Sequence, residues 1–136
     1  MLEKSDRTDE ETEEMIAMAY ASTLHWSKFS KHKMANRARG ENMIATALTY
    51  AGRKEAAMHH AKRDYDIVFN NKNEMADFDI SYALMAVARS HALNGDLERA
   101  RGYYEDCLKS IKVIKDPKDK KIVESDLNSG PWYGLK

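Results

Sequence analysis

Gly52 and Gly95 stand 43 residues apart, and the sequence around them repeats. Eight positions before each glycine come Ile44 and Val87, and seven before come Ala45 and Ala88. Five positions after come Ala57 and Ala100, nine after Ala61 and Tyr104, and thirteen after Tyr65 and Leu108. Self-similarity at a fixed spacing marks a repeat architecture, in which a single unit cannot bury both of its faces and the units stack. Each copy reads as a helix carrying a small residue, a glycine that turns the chain in the left-handed conformation, and a return helix whose small residue receives the first. A chain of 136 residues holds one domain, which accommodates two such pairs and a flanking helix on either side.

The rest of the chain fits that plan. Both prolines, Pro117 and Pro131, fall near the C-terminus. β-branched residues are sparse, helix formers dominate, and no stretch alternates with period two. The first helix is expected over 8–29, opened by a capping box of Thr8 and Glu11, with Met15, Met18, Ala19, Ser22, Trp26 and Phe29 at helical spacing. Ser30 is placed to cap the second helix, expected over 31–51. Gly40 inside that helix costs roughly 1 kcal/mol relative to alanine, so a close helix–helix approach is expected there. The third helix is expected over 53–69, ended by Asn70, Asn71 and Asn73, and the fourth over 74–93. Asp96 caps the fifth, which runs to Ile114, and Asp116-Pro117 starts a short sixth over 118–127. The expected domain is 1–128, with pairs over 31–70 and 74–114 and a tail over 129–136.

The segments IATALTYAGRKEAAMHHAKRDYDI and VARSHALNGDLERARGYYEDCLKSI carry a resemblance to the tetratricopeptide-type helical repeats, through the small residue, the glycine and the alanine shared by both copies. The strings HW, ARG and HHA are similar to those of prokaryotic proteins with this repeat. The period is longer than the roughly 34 residues of the standard unit, so the resemblance is to a long-helix, degenerate form. It implies an all-α, right-handed solenoid of antiparallel helix pairs with about six helices. It also implies a concave face, lined by the first helix of each pair, that binds peptides or partner helices.

Chemistry-bearing patterns are few. Lys and Arg together number 22, as do Asp and Glu, so the net charge is zero and a general nucleic-acid binder is disfavoured. No apolar run approaches the ~18 residues of a membrane span, and the polar, acidic start is not that of a signal peptide. With a single cysteine, Cys107, no intrachain disulfide forms, and a cytoplasmic location is expected. Cys107 falls at a small buried position of the fifth helix, where packing is the commoner role. The five histidines, His25, His32, His59, His60 and His91, match neither the Glu-x-x-His nor the His-Glu-x-x-His ligand pattern, so no metal or other cofactor is expected. His60 and Asp64, four apart, read as an ordinary pair on one helix face, and His91 as a core polar residue. With no nucleophile motif or phosphate loop, the expectation is a protein without enzymatic activity.

The function expected is therefore a protein–protein interaction module. Its contact residues lie on helices 2 and 4, off the packing stripe: Arg39, Asn42, Thr46 and Thr49, then Tyr82, Met85 and Arg89. The two arginines favour an acidic peptide, with Asn42 bonding its backbone and Tyr82 and Met85 making apolar contact. The alternatives are a structural homo-oligomer and a small-molecule or metal-binding helical domain using the His/Asp cluster. An acidic Glu3–Glu14 segment and a basic Lys28–Arg39 segment are placed to meet between subunits. The tail holds Trp132, Tyr133 and Leu135 after a glycine–proline break, and burying two or three such side chains offsets the ordering of a few residues. It is expected to fold back over the last helices or into a neighbouring subunit.

Overall fold

The computed structural model describes residues 6–29 and 33–136, without the side chains of 25–29. Six α-helices are found among the described residues, and no strands. They are α1 (Asp9–Phe29), α2 (Met34–Tyr50), α3 (Lys54–Asn70), α4 (Asp77–Leu93), α5 (Leu97–Lys112) and α6 (Pro117–Leu127). Each packs on its neighbours in sequence, most extensively within the pairs α2·α3 and α4·α5. The alternate helices α2, α4 and α6 also touch in succession, so three helices lie side by side along one face.

Local chemistry accounts for the helix ends. The Thr8 hydroxyl accepts from the Glu11 amide and the Glu11 carboxylate from the Thr8 amide, both at 3.1 Å, closing the capping box. The two repeat glycines turn the chain alike, with φ of +74° at Gly52 and +86° at Gly95. The amide after each bonds back to the last turn, Arg53 N–H to Leu48 O and Asp96 N–H to His91 O, both at 2.9 Å. These two bonds are related by the 43-residue period of the sequence. Asp96 caps α5 through the Arg99 amide, and Asp116 caps α6 through the Lys118 and Asp119 amides. The Ser30 cap and the side chains of Trp26 and Phe29 lie outside the described residues.

The start of α4 departs from the sequence expectation. Residues 72–74 form a separate turn of 3-10 helix, Met75 and Ala76 are extended, and α4 begins at Asp77. The cause is Asp79, whose carboxylate accepts the Ala76 amide at 2.9 Å and fixes the helix entry three residues downstream of the expected one.

Small residues set the helix spacing. Ala45, Ala57, Ala88 and Ala100 are all fully buried. Ala88 and Ala100 share a cluster with Leu84, Cys107 and Ile111. In the first pair Ala57 joins Ile44, Ala47 and Leu48, whereas Ala45 joins Ala61, Ala86 and Val87, so Ala45 also serves the α2·α4 seam. At Gly40 the α1 helix comes so near that an added Cβ would stand 2.7 Å from Thr23 Cγ2. The Thr23 hydroxyl bonds the Gly40 carbonyl across the same contact, at 3.2 Å.

Candidate functional site

The side-by-side arrangement of α2, α4 and α6 leaves a groove, formed by two hollows that share Asn42, Met43, Tyr82 and Asp126. The larger measures about 280 Å³ and is walled by Arg39, Asp64, Phe78 and Asp79. The other, about 240 Å³, is walled by Thr46, Thr49, Tyr50, Met85, Arg89 and Ser129. All seven side chains picked from helices 2 and 4 therefore line one groove. Positions 39, 42, 43, 46, 49 and 50 fall on one face of α2 by helical spacing. That periodicity also marks Met43 and Tyr50, which the sequence reading left out. Asp126 and Ser129 carry no comparable signal, because they reach the groove only through the return of the chain after α5.

Most of the polar groups in the groove are already bonded within the chain. Arg39 makes a two-pronged contact with Asp79, at 2.9 and 3.0 Å, and lies over the Phe78 ring. The hydrogen bond to Asp79 pushes the Arg39 pKa up, against the opposing effect of burial. Asn42 gives both amide hydrogens away, to Asp64 at 2.8 Å and to the Tyr82 carbonyl at 2.9 Å. Thr49 is buried and bonds Ala45 O. Tyr82 donates to Asp126, and burial, reinforced by that bond, pushes its pKa well up.

Arg89 lies under the C-terminal tail and is only 4% exposed. It donates to Tyr50 Oη at 3.1 Å, to Asp126 O at 2.8 Å and to Ser129 O, with its guanidinium 4.6 Å from the Trp132 ring centre. Of the two guanidiniums named for an acidic partner, Arg39 is half exposed while paired with the buried Asp79, and Arg89 is buried on backbone carbonyls of α6 and the tail.

The tail itself packs on the chain. Trp132 and Leu135 are buried in the cluster of α4, α5 and α6. Trp132 donates to Leu127 O at 2.9 Å and meets Tyr104 edge to face. Tyr133 reaches back to Thr49 O on α2. Gly130 passes so close to Tyr50 that a Cβ there would lie 2.0 Å from its hydroxyl oxygen.

The other candidate chemistry is distributed elsewhere. His60 pairs with Glu41 at 2.6 Å and shares a hydrogen bond with Tyr20 at 2.9 Å, so its partners are on α2 and α1, and Asp64 turns instead to Asn42. Arg63 also reaches Glu41. His91 stacks flat on Tyr103, and burial lowers its pKa. Cys107 is buried, its thiol pushed up to about 12 by desolvation, and donates to Ser81 O. Among the described residues no group of three or more His, Cys, Asp or Glu side chains could hold a metal ion. No helix among them is long and apolar enough to cross a membrane.

No family model matches the chain, and neither the curated proteins nor the solved structures contain a match to it.

Proposed function

We propose that the chain is a non-catalytic interaction module that binds an extended peptide or a partner helix along the groove of α2, α4 and α6. The observation that carries this reading is that side chains spaced over three helices converge on one continuous groove. Its apolar surface comes from Met43, Tyr82 and Phe78, with polar edges, whereas Met85, expected to make apolar contact, is 5% exposed and belongs to the core behind the smaller hollow. Hollows of this size accept single side chains of a partner, and apolar contact with the adaptable Met43 suits several sequences. The pairwise stacking and the equivalent turns at Gly52 and Gly95 support a right-handed, tetratricopeptide-like winding of the pairs. A cytoplasmic setting suits a lone, buried, unbridged thiol.

The test is selection of groove ligands from a random twelve-residue displayed peptide library with the full chain as bait. Thr46→Trp fills the smaller hollow from its half-exposed rim. Peptides that bind wild type and lose binding to a normally melting Thr46→Trp protein are the expected result. Enrichment of only those peptides that ignore this substitution counts against the reading.

A homo-oligomer is the second reading, favoured by the outer side of α1. Met18 and Leu24 there are 62% and 58% exposed, on a helix that packs chiefly against α2 alone. Light scattering of wild type and Met18→Glu decides it: an assembly that dissociates on substitution supports self-association.

A further inference from the structure

The end unit of a helical stack normally turns a polar side to water, and α1 does not. Its residues Met15, Ile16 and Ala19 are buried with Ile44, Ala47 and Leu48 of α2. On the side away from α2, Ala17, Met18, Ala21 and Leu24 form an exposed apolar stripe at helical spacing. Opposite charges flank this stripe. Glu14 and Glu10 precede it by one and two turns on the same face, and both are exposed. The nearby cations are engaged elsewhere, Arg53 with Glu13 and Arg7 with the Tyr50 carbonyl. At the other end, position 28 is a lysine, eighteen residues or about five turns after Glu10, and so returns to the same line along α1. No acid follows it before Glu41, and Lys33 is exposed where α2 begins, a few residues beyond the end of α1.

Resting on the self-association reading above, we infer that the stripe is covered by a second copy of the chain, whose α1 runs antiparallel to the first across a two-fold axis near position 19. That placement sets Glu10 opposite Lys28 of the partner subunit, twice by symmetry, so each acidic end meets a basic one. It also sets Ala17 opposite Ala21 of the partner subunit, where two short side chains let the helices approach closely and Met18 fills the seam. A parallel placement would set Glu10 against Glu10 and Glu14 against Glu14, which repel. The face is therefore complementary to itself in one direction only, and this favours a copy of the same chain as its occupant. A single helix face makes a small interface, so the dimer is weak, with a dissociation constant on the order of 10–100 µM.

The experiment uses two replacements in the full chain, Glu10→Cys and Lys28→Cys, since the native Cys107 is fully buried and does not compete. Each is oxidised alone and in an equimolar mixture, and covalent dimer is measured on a non-reducing gel. Antiparallel pairing brings sulfurs within disulfide reach only between the unlike positions, so the mixture should give several times the dimer of either variant alone. Light scattering gives a second readout. Glu10→Gln/Glu14→Gln should weaken the wild-type dimer roughly threefold to tenfold, the scale of two exposed ion pairs. Raising salt from about 50 to 300 mM should weaken it in the same direction. Equal melting of the variants excludes misfolding as the cause. Self-linking of Glu10→Cys, or no mixed link in a dimer that Met18→Glu still dissociates, overturns the antiparallel pairing and leaves self-association through α1 standing. A dimer indifferent to Met18→Glu, or a wild type still monomeric at about 1 mM, overturns both.

Discussion

Arg89 on α4 donates to the backbone carbonyl of Ser129, the first residue of the C-terminal tail, and the same nitrogen reaches the Asp126 carbonyl at the end of α6. One buried guanidinium thus ties together α4, α6 and, through Tyr50, α2. Hydrogen bonds from a charged donor contribute more than neutral ones, and a buried carbonyl left unmatched is costly. Arg89→Met is expected to lower unfolding free energy by about 2–3 kcal/mol in urea titration. Arg89→Lys should recover only part of that, since an ammonium cannot span the same fork of acceptors. Carboxypeptidase digestion of folded protein should also shorten the tail faster in Arg89→Met. Variants as stable as wild type would show that the tail is held by Trp132 and Leu135 alone.

Gly130 and Gly134 offer a controlled comparison, because both have positive φ, +79° and +91°. A Cβ at Gly134 meets nothing within 4 Å, whereas at Gly130 it runs into Tyr50 and the Arg89 guanidinium. Gly134→Ala should therefore incur only left-handed strain, about 1 kcal/mol. Gly130→Ala adds a collision with two groups that are themselves fixed, and should lose a further 1–3 kcal/mol or so. Thermal unfolding of the two variants measures the difference directly. Equal losses would mean that the tail does not pack against Tyr50 and Arg89 at Gly130.

The approach of α1 to α2 can be tested at Gly40. Alanine in a helix interior is favoured over glycine by about 1 kcal/mol, yet here its Cβ would collide with Thr23 Cγ2 at 2.7 Å. Gly40→Ala alone should be no more stable than wild type. Combined with Thr23→Ser, which removes the methyl and keeps the hydroxyl bonded to the Gly40 carbonyl, it should gain up to about 1 kcal/mol. A single variant already more stable than wild type would show that the contact is looser than described.

The extent to which the sequence discloses these features depends on the range of the interaction involved. The glycine turns, the Thr8, Asp96 and Asp116 caps and the face of α2 from Arg39 to Tyr50 follow from residues a few positions apart, and periodicity exposes them. The Gly40 contact was legible as well, since a glycine within a helix needs a reason. What the sequence does not disclose is which polar group stands opposite which. Arg39 and Arg89 look equivalent on helical spacing, yet one faces Asp79 and the other two backbone carbonyls, roughly forty residues away in each case. The fourth helix was expected three residues too early for a local reason. Met75 and Ala76 have helical propensity, but the Asp79 carboxylate, three positions on, captures the Ala76 amide and fixes the boundary there.

Asp64 provides the pH test. It is buried on α3, bonded to Asn42 at 2.8 Å, and lies within reach of the Asp79 and Glu41 charges. Burial raises its pKa from 3.8 to about 8, with those two carboxylates adding to the shift and the Asn42 bond opposing it. Between these values the folded protein holds a proton that the unfolded chain has released. The contribution of Asp64 to stability is therefore complete below about pH 4, declines as pH rises through the window and levels off above pH 8. Asp64→Asn keeps an acceptor for the Asn42 amide and cannot ionise. Its stability relative to wild type should be near zero at pH 4 and rise to a few kcal/mol in its favour by pH 8, as each pK unit corresponds to about 1.4 kcal/mol. Urea titrations of both proteins at intervals across this range give that difference free of the other titrating groups, which the two chains share. A difference that stays constant with pH would show that the Asp64 carboxyl is not held protonated in the folded chain.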